Sequence, residues 1–524
     1  YLFDQNPFFP ICAYVCGLCE LACSYSGTGG AIRRRLLKRF IADSYFERLK
    51  ERDPLPVSSD SARVAIIGSG PAGLMAGFDL SRRGYRCSVF EASDSTGGAL
   101  RLIPRYRLPS EVLTETLAAI VRVACIELHL TTRFGEGEFG LVRLRQQGFA
   151  AIFIAAGSPT PRTLTYEGAE VRGQQLAGVV YGHSFLYELA HNAIPDGYLK
   201  GKRSIVVGGG NVAFDAARSL RRLGAKATLV CLESKDRTGR DAIPADPEEV
   251  RGALEEGVEI IFCRGVSAIN DADGVFRSIT APRCLSVYDD HGFNPAFDAA
   301  DTVEINGDLL VIAVGQGPER RFLQNEGLLD DLGRISADPV TLESLKHPGV
   351  FLGGDMVKIG FMADAMRDGL TAAESVDRYL RRVDLRFGRD VDYASPPAPL
   401  RQSYRHGPAV EWLPPEQRLD FRPFEQGLSL EEAIAEAKRC LACGPCLSCK
   451  ACIEAGLREE ITRVEVNEAF CSGCGICVAA CPYAAATVVR KGARLVSTTD
   501  PLLCRGCGLC VAACPAGARK LVDL

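Results

Sequence analysis

The sequence predicts an α/β protein with two Rossmann-like nucleotide-binding units and a smaller, cysteine-rich α+β domain at the C-terminus. A glycine-rich turn follows an apolar run at residues 63–73, and a similar turn follows a similar run at residues 204–213. Two near-identical cysteine runs lie between residues 471 and 515. A strand, a tight glycine turn and a helix, in that order, form the unit with which parallel sheets bind nucleotides.

The first fingerprint begins where the strand predicted over Arg63–Ile67 ends. Its glycines allow a tight turn and let a pyrophosphate approach the N-terminus of the following helix. The next predicted strand, Arg86–Phe90, ends at Glu91, a carboxylate placed to accept hydrogen bonds from ribose hydroxyls. The fingerprint residues are Gly68, Ser69, Gly70, Pro71, Ala72 and Gly73.

The second fingerprint follows a strand predicted at residues 204–207, and the next predicted strand, 228–232, ends at Glu233. A carboxylate at this position favours the free 2′-hydroxyl of NAD and repels the 2′-phosphate of NADP. Arg237 and Arg240 follow within reach of such a phosphate, so NADP stays open as the alternative. The fingerprint residues are Gly208, Gly209, Gly210, Asn211 and Val212.

Two later apolar runs complete the nucleotide domains. Residues 309–314 predict a strand that ends at Gly315, and Val350–Leu352 leads through paired glycines to Asp355, before a helix predicted over Met362–Leu380. Two nucleotides in one chain, one stationary and one exchanging, indicate hydride transfer between a nicotinamide and a flavin. That chemistry strictly needs no acid–base side chain, so no catalytic residue is assigned.

Each C-terminal cysteine run has the spacing Cys-x2-Cys-x2-Cys-x3-Cys-Pro. In the bacterial ferredoxin pattern three thiolates of a run hold one 4Fe–4S cluster and the fourth holds the other. A zinc site would instead need two Cys-x2-Cys pairs about 15–20 residues apart. The sequence therefore predicts one cluster on Cys471, Cys474, Cys477 and Cys514, and a second on Cys504, Cys507, Cys510 and Cys481.

The remaining composition is that of an ordinary globular protein. The chain has 524 residues, 47% hydrophobic and 24% charged, and its net charge of −4 gives no reason to expect nucleic acid as a partner. No run of about 18 uncharged apolar residues is present, so no membrane insertion is expected. Seventeen of the 22 cysteines are spaced as cluster ligands, which favours a reducing, cytoplasmic location. No signal peptide is recognised, and residues upstream of Tyr1 are expected because a cysteine motif lies so close to it.

Seven segments, in order along the chain, carry a family resemblance. They resemble the FAD/NAD(P) iron–sulfur oxidoreductase family of the glutamate synthase small subunit and of the N-terminal half of dihydropyrimidine dehydrogenase, here fused to a two-cluster ferredoxin domain. The segments are NPFFPIC (residues 6–12), IIGSGPAGL (66–74), GGALRLIPRYRLPSEVL (97–113), IAAGSPTPR (154–162), GGGNVAFDAAR (208–218), IAVGQGPE (312–319) and VFLGGDM (350–356).

The resemblance implies two nested Rossmann-like domains, with an NAD domain inserted in an FAD domain, and an N-terminal helical iron–sulfur segment. It implies FAD on the first fingerprint and Glu91, and also on Gly98, Arg101, Gly157, Gly354 and Asp355. It implies a nicotinamide nucleotide on the second fingerprint, Glu233 and Gly315.

The family also carries clusters at its N-terminus, partly bound by a segment that corresponds to Cys12, Cys16, Cys19 and Cys23. The gap between Cys16 and Cys19 is shorter than usual, and a redox disulfide is the alternative. The arginine–cysteine motif that relatives have upstream occurs here far downstream, at Arg439-Cys440, so we expect the C-terminal segment to fold back beside the N-terminal cysteines. That segment supplies five cysteines: Cys440, Cys443, Cys446, Cys449 and Cys452. Together with the four N-terminal cysteines they are expected to bind two clusters, which would give the chain four clusters in total. The alternative is a single cluster here, with the remaining thiols free.

Composition shifts divide the chain into segments. A proline-rich linker at residues 386–428 is predicted to be extended and laid over the surface of the nucleotide domains. Ser429 is predicted to cap a helix, and the basic run Arg33–Arg39 is predicted to form a solvated or partner-facing helix surface. The expected segments are an N-terminal iron–sulfur segment (1–60), the FAD domain (61–178 and 310–385), the NAD domain (179–309), the linker (386–428), a five-cysteine segment (429–460) and the ferredoxin domain (461–524). Five lone cysteines are predicted to be buried and inert: Cys87, Cys125, Cys231, Cys263 and Cys284.

These features predict an electron-transfer flavoprotein subunit that links NAD(H) to one-electron carriers. Its ferredoxin-like domain is expected to dock other subunits of an oxidoreductase complex, and chains of this layout resemble NAD-linked subunits of 2-oxoacid oxidoreductases. The first alternative is a glutamate-synthase-like small subunit that passes NADPH electrons to an amidotransferase. The second is a ferredoxin-type adaptor without enzyme activity, which intact fingerprints disfavour.

Overall fold

The computed structural model describes residues 2–21, 30–195, 197–236, 238–387, 389, 407–408, 411–439, 462–481, 484–492, 494–500, 504 and 508–523. Within these ranges, none of the helices has the length and apolar character needed to cross a membrane.

The described helices and strands alternate through the middle of the chain. The helices are α1 (Leu2–Gln5), α2 (Phe9–Val15), α3 (Leu18–Leu21), α4 (Arg34–Tyr45), α5 (Pro71–Arg82), α6 (Ser110–Val123), α7 (Leu141–Gln146), α8 (Gly182–Ala190), α9 (Asn211–Arg222), α10 (Pro247–Glu255), α11 (Arg320–Asn325), α12 (Met362–Leu380), α13 (Leu430–Arg439), α14 (Ile476–Ala479) and α15 (Leu509–Ala512). The strands are β1 (Arg63–Ile67), β2 (Arg86–Phe90), β3 (Glu127–His129), β4 (Ala151–Ile154), β5 (Thr160–Pro161), β6 (Thr165–Tyr166), β7 (Ala169–Glu170), β8 (Val179–Tyr181), β9 (Arg203–Val207), β10 (Lys226–Val230), β11 (Glu259–Ile261), β12 (Ala268–Ala272), β13 (Val275–Asp289), β14 (Gly292–Asn306), β15 (Leu309–Ile312), β16 (Gln316–Gly317), β17 (Val350–Leu352), β18 (Thr462–Val466), β19 (Ala486–Lys491), β20 (Arg494–Thr499) and β21 (Arg519–Asp523).

The first sheet contains the first fingerprint. Its strand order is β17-β4-β1-β2-β3, and every neighbouring pair is parallel. The strands β1, β2 and β17 and the helix α12 lie at the residues that the sequence predicted for them. Leu74 and Met75 of α5 share one buried core with Met366 of α12, so these two helices cover the same side of the sheet.

The second sheet has the order β11-β10-β9-β15-β8 and is also entirely parallel. Because β17 returns to the first sheet after the second sheet is complete, the two nucleotide domains are nested, as the sequence predicted. The boundary expected at residue 310 falls inside β15, so the second domain extends at least to Ile312. The predicted boundary fell within this strand because an apolar run does not show which of two sheets it joins.

An antiparallel sheet, β12-β13-β14, extends from the second domain. Its two long strands, β13 and β14, are 15 residues each and form a hairpin whose turn lies at Asp290 and His291. Ala281 and Ile279 of β13 are buried in a core shared with β9 and β15, which fixes the base of the hairpin on the second sheet.

The N-terminal helices pack onto the first domain. Phe8, Ile11 and Cys12 share the core that contains α5 and α6. The basic run lies on α4, as predicted, but the solvated surface predicted for it is wrong at Arg35 and Arg39, which are buried. Their charges are neutralised by a carboxylate that is 386 or more residues away in sequence, which local composition cannot reveal.

The predicted linker is packed structure over residues 411–428. Phe424 is buried, Trp412 forms a β-bridge with Glu425, and the guanidinium of Arg418 donates to Glu255 of α10 at 2.7 Å. These contacts lay residues 411–428 over the second nucleotide domain, which is part of the surface that the sequence predicted for the linker. The cap predicted at Ser429 is confirmed by a capping box, in which the Glu432 amide donates to the Ser429 hydroxyl at 3.2 Å and the Ser429 amide donates to the Glu432 carboxylate at 2.8 Å.

The C-terminal domain shows the symmetry of its repeat. β18 pairs with β21 and β19 with β20, each antiparallel, and the two short helices α14 and α15 lie between the strand pairs. Gly475 and Gly508 occupy equivalent positions before these helices with φ of +77° and +75°, a left-handed conformation that favours glycine. This is the ferredoxin-like α+β arrangement that the cysteine runs predicted.

Candidate nucleotide and iron–sulfur sites

The first fingerprint forms the turn between β1 and α5. A Cβ on Gly68, which has φ of +100°, would collide with the carbonyl of Ala155, and a Cβ on Gly73 would collide with the carbonyl of Gly68. These positions therefore need glycine for tight packing. An added Cβ on Gly70 would meet nothing within 4 Å, so the N-terminus of α5, where Pro71 and Ala72 lie, opens into space that a ligand can fill.

Glu91 lies beside this turn at the end of β2 and is buried. Its carboxylate accepts hydrogen bonds from the Ser69 amide at 2.8 Å and the Ser69 hydroxyl at 2.6 Å, and its other oxygen accepts from the Ser93 amide at 2.8 Å. The carboxylate is thus held at the turn, with its orientation fixed, at the position where a dinucleotide presents ribose hydroxyls.

The loop after β2 approaches the same turn. A Cβ on Gly98 would lie 3.2 Å from the Cα of Gly70, so the two glycine-rich segments are close together. Arg101 lies on the short 3₁₀-helix Gly98–Leu102, where its Nε donates to the carbonyl of Thr96, and burial lowers the pKa of its guanidinium.

Asp355 closes the site from a segment 287 residues after Gly68 in sequence. Gly157, with φ of +67°, faces open space, and the hydroxyl of the neighbouring Ser158 donates to the Asp355 carbonyl at 2.6 Å. A Cβ on Gly354 would lie 3.1 Å from that of Ala72, which brings this segment against α5.

The Asp355 carboxyl is the most perturbed acid of the first site. Burial raises its pKa to about 6, the Gly360 amide that donates to it opposes the rise, and Asp364 and Asp368 add to it. The raised pKa favours the neutral form of the Asp355 carboxyl. The sequence-predicted residues of the first domain thus converge at the carboxyl end of its sheet and fit a dinucleotide such as FAD.

The second fingerprint repeats this geometry between β9 and α9. A Cβ on Gly208, which has φ of +137°, would collide with the carbonyl of Ala313, and an added Cβ on Gly210 would meet nothing within 4 Å. A Cβ on Gly209 would collide with the carboxylate of Glu233, so this carboxylate lies directly against the phosphate-binding turn. Burial raises the pKa of Glu233, and the charge of Asp241 adds to the rise.

A cavity of about 930 Å³ lies in front of this turn. Its volume is in the range of ligand pockets, about 300–1,000 Å³. Gly208–Val212, Glu233 and Gly315 all line it, so the structure brings together every residue predicted for the second nucleotide.

Of the two arginines that left NADP open, Arg237 lies outside the described residues and Arg240 has a partner. The Arg240 guanidinium donates to Asp290, in the hairpin turn, at 3.2 Å. The neighbouring Asp241 accepts from the amide of Tyr288 at 3.1 Å, so the loop after β10 is tied to the hairpin at two points.

The sequence missed the aromatic lining of this cavity. Tyr288, Phe293 and Phe297, all on the long hairpin, line the cavity opposite the fingerprint. Phe297 packs on Tyr166 with 4.8 Å between ring centroids. No local signal marks these residues, because only the pairing of β13 with β14 brings them to the nucleotide cavity.

The sequence also missed a cluster of thiols. Cys231 and Cys263 both direct their Sγ atoms to the carbonyl oxygen of Glu233, at 3.9 and 3.8 Å, and the Cys284 amide donates to the Cys263 carbonyl at 2.8 Å. Burial raises the pKa of the Cys231 and Cys284 thiols, that of Cys284 to about 11. The prediction that the lone cysteines are buried is confirmed for Cys87, Cys231 and Cys284, but it is wrong for Cys125, which is exposed, and for Cys263, which is only partly buried.

In the C-terminal domain one small cavity is lined by cysteines from both runs. Cys471, Cys474 and Cys477 of the first run and Cys514 of the second surround it. The amide of Ser497 donates to the Cys471 sulfur at 3.3 Å. Four thiols around one cavity, with an amide aimed at sulfur, are the donor set that suits a 4Fe–4S cluster.

The second predicted group is described in part. Cys504, Cys510 and Cys481 lie in one apolar cluster, with Cys481 contributed by the first run, while Cys507 lies outside the described residues. The position of Cys481 beside Cys504 and Cys510 is the one that the predicted exchange of a cysteine between the runs requires.

The chain that follows the N-terminal cysteines contacts the end of α13. Cys12 is buried on α2, where the Asn6 amide donates to its sulfur at 3.5 Å, Cys16 is buried just after that helix, and Cys19 lies on α3. Arg439, the last residue of α13, donates to the carbonyls of Gly30 and Ala31 at 2.8 and 2.9 Å. Some predicted ligands lie outside the described residues: Cys23, Cys440, Cys443, Cys446, Cys449 and Cys452.

Comparisons with known proteins agree with this arrangement. The family described as pyridine nucleotide-disulphide oxidoreductase matches residues 62–369, and the 4Fe-4S dicluster domain matches residues 470–518. The NADP(+)-dependent formate dehydrogenase subunit beta of Moorella thermoacetica is 32% identical over 469 residues, which cover 81% of this chain and 63% of that protein.

Two further relatives are similar over most of the chain. A putative glutamate synthase (NADPH) small chain of Cereibacter sphaeroides is 31% identical, covering 72% of this chain and 92% of its own length. The NADPH-Fe(3+) oxidoreductase subunit beta of Geobacter sulfurreducens is 27% identical, covering 84% of this chain and 70% of its own. The chain spans 63% and 45% of the lengths of two of its relatives, the formate dehydrogenase subunit and a putative oxidoreductase, YgfK, of Escherichia coli.

Proposed function

Because the chain belongs to the pyridine nucleotide-disulphide oxidoreductase family and carries a 4Fe-4S dicluster domain, we propose that it is an electron-transfer subunit linking NAD(H), through FAD, to 4Fe–4S clusters and a partner oxidoreductase. The observation that carries the proposal is the presence in one chain of two open glycine turns, each on its own parallel sheet, and a four-thiol cavity.

The first turn is the proposed FAD site. Gly70 leaves room for the pyrophosphate, Glu91 is oriented toward ribose hydroxyls, and Asp355 offers a hydrogen-bonding carboxyl to the ribityl chain. A flavin supplies the exchange between two-electron hydride transfer and one-electron transfer. Arg101 supplies a half-buried positive charge beside the same turn.

The second turn is the proposed site of NAD(H). Glu233 lies against Gly209, so a 2′-phosphate at the adenosine ribose would approach a buried carboxylate. Asp241 adds a second acidic group, and the charge of Arg240 is neutralised by Asp290. These three observations favour the free 2′-hydroxyl of NAD over the phosphate of NADP.

The proposed cluster ligands fall into the two groups of the ferredoxin domain and a third group near the N-terminus. The contact of Arg439 with Gly30 and Ala31 brings the chain that precedes Cys440 beside the segment that follows Cys23. We therefore keep the proposal that residues 440–452 and the N-terminal cysteines share one or two clusters. Clusters held there supply one-electron steps between the flavin site and the ferredoxin domain.

The proposed partner is an oxidoreductase of the 2-oxoacid class, whose electrons reduce NAD. The relative named as a formate dehydrogenase subunit makes formate oxidation a second candidate reaction for the partner. The glutamate-synthase-like function remains the alternative, since a relative with 31% identity is named a putative NADPH-linked small chain.

The test is anaerobic reduction of the purified protein by NADH and, separately, by NADPH, followed by bleaching of the flavin absorbance. We expect NADH to be preferred at least about tenfold, and Glu233→Gln to remove most of that preference because the amide does not repel a phosphate. Glu259→Gln, at the exposed start of β11, is the matched control. A preference of the wild-type protein for NADPH would refute the assignment of NAD and favour the glutamate-synthase-like function.

A further inference from the structure

One face of the C-terminal domain combines an exposed cluster cysteine with apolar and basic side chains. In the loop at residues 470–476, Phe470 is 66% exposed, Ile476 is 43% exposed, and Cys474 is exposed as well. Leu495, at the start of β20, is 46% exposed. Arg490 and Lys491, at the end of β19, and Arg494, at the start of β20, are also exposed. We call these seven residues the hairpin face.

Direct contacts join the two halves of the hairpin face. A Cβ on Gly473 would lie 2.6 Å from that of Leu495, so this leucine packs on the cluster loop. The guanidinium of Arg494 donates to the carbonyls of Glu468, Ala469 and Cys471, each at 3.3 Å. The start of β20 is therefore fixed beside the loop that surrounds the first cysteine cavity.

The charge of this domain is opposite to that of the whole chain. Residues 462–523 contain seven Lys and Arg but only four Asp and Glu, whereas the complete chain has a net charge of −4. On the hairpin face one carboxylate, Glu468, pairs with Lys491 at 2.5 Å. The hairpin face itself consists of three cationic side chains and no acidic one, and the structure shows one of the cations, Lys491, paired with a carboxylate.

We propose that the hairpin face is the surface through which electrons pass between this chain and an acidic redox protein or subunit. The proposal rests on the proposed function and names its docking site. Exposed apolar side chains surrounded by charge are typical of transient interfaces, and the charge steers the encounter. A second copy of this chain is disfavoured as the occupant because two identical basic faces repel each other.

The test is anaerobic, NADH-driven reduction of three acceptors at low ionic strength. They are an acidic two-cluster ferredoxin, the basic protein cytochrome c, and the small molecule benzyl viologen. The variant Arg490→Glu/Lys491→Glu is expected to lower kcat/KM for the ferredoxin at least about tenfold, within the range that electrostatic steering supplies. This loss of kcat/KM for the ferredoxin should become smaller in 0.5 M salt. The same variant should reduce cytochrome c faster than the wild-type protein does, and it should reduce benzyl viologen at an unchanged rate.

The matched control reverses two exposed charges elsewhere, Arg143→Glu/Lys226→Glu, and should leave all three rates unchanged. Equal losses in both variants would overturn the docking site, as would a loss with benzyl viologen. Dissociation of a dimer by the hairpin-face variant would instead assign the face to a second copy.

Phe470→Ala adds a test without charge change and should raise KM for the ferredoxin alone. If the wild-type protein transfers electrons in neither direction between the nicotinamide and benzyl viologen, the proposed function fails rather than the docking site.

Discussion

At the scale of single residues, Asp355 makes the stability of the FAD-free protein depend on pH. Its folded-state pKa of about 6 lies above the ordinary value of 3.8, so the fold favours the neutral carboxyl. Its favourable contribution is complete below pH 3.8 and is lost as the pH rises through 6. Above that range the buried charge costs up to about 3 kcal/mol, at about 1.36 kcal/mol for each pKa unit.

Asp355→Asn should therefore stabilise the FAD-free protein in a pH-dependent manner. We expect a gain in the free energy of unfolding of about 2–3 kcal/mol at pH 7.5, and a smaller gain at pH 5. Urea unfolding of both proteins after removal of FAD measures it. A gain that is the same at both pH values would show that Asp355 is already ionised without cost.

Which residues the sequence could identify depends on how local their signal is. Glu91 and Glu233 follow their glycine turns at a fixed distance, because strand, turn and helix have standard lengths. Tyr288 and the thiol of Cys263 lie near Glu233 only through strand pairing across the second domain. No spacing in the sequence records that pairing, so these residues emerge only from the structure.

At the scale of elements, the packing of α12 on α5 depends on one glycine. A Cβ on Gly369 would collide with the carbonyl of Ala72 and lie 3.0 Å from the Cβ of Met75. Alanine normally stabilises a helix interior by about 1 kcal/mol relative to glycine, so any destabilisation here is steric. Ala72 lies in the first turn of α5, so the collision reaches the proposed FAD site directly.

Gly369→Ala should lower the free energy of unfolding by about 1–3 kcal/mol and weaken retention of FAD. Thermal unfolding and the flavin content after gel filtration measure the two effects. Gly427→Ala is the matched control, since its added Cβ meets nothing within 4 Å and should change stability by less than about 0.5 kcal/mol. Equal stabilities of the two variants would mean that α12 moves away at no cost.

The sequence predicted those helices and strands whose residue pattern lies entirely within the element and its adjoining turn. β1 and β17 were located from short apolar runs that end in glycine. The predicted domain boundary cuts β15, because an apolar run does not show which sheet it joins. For residues 411–428, proline content predicts an extended backbone over the nucleotide domains but does not show which side chains it contacts. Their partners, in both cases, lie far away in sequence.

At the scale of the whole molecule, a buried ionic network joins three segments. Arg218 of α9, which is fully buried, binds Glu249 at 2.5 Å and Glu256 at 2.7 Å. Its guanidinium lies 4.8 Å from the ring centroid of Tyr106, from the first domain, and 4.7 Å from that of Phe424. The network thereby fixes the second domain against the first and against residues 411–428.

Charges within the network depend on one another. Burial raises the pKa of Asp215 to about 6, although Arg107 binds it at 2.8 Å and opposes the rise. Burial alone would also raise the pKa of Glu249, but Arg107 and Arg218 outweigh it and hold this pKa below its ordinary value. Removal of one cation therefore leaves more than one carboxylate buried without compensation.

Arg218→Met should lower the free energy of unfolding by about 3–5 kcal/mol, the usual loss when one member of a buried ion pair is removed. Arg203→Met removes an exposed pair with Asp308 and should cost no more than about 1 kcal/mol. Urea unfolding under identical conditions compares them. Similar losses in the two variants would show that water or neighbouring groups compensate the buried carboxylates.

The contacts of the N-terminal helices with residues 425–439 have a consequence for protein synthesis. Arg35 meets Glu425, which is 390 residues later, and Gly30 meets Arg439, which is 409 residues later. On the ribosome the N-terminal helices therefore emerge long before the residues that complete their surroundings. Leu36, which packs with Leu428 and Ala433, stays without these neighbours until both nucleotide domains have been made. A chain interrupted before residue 425 is thus a distinct, incompletely covered species that chaperones and proteases can recognise.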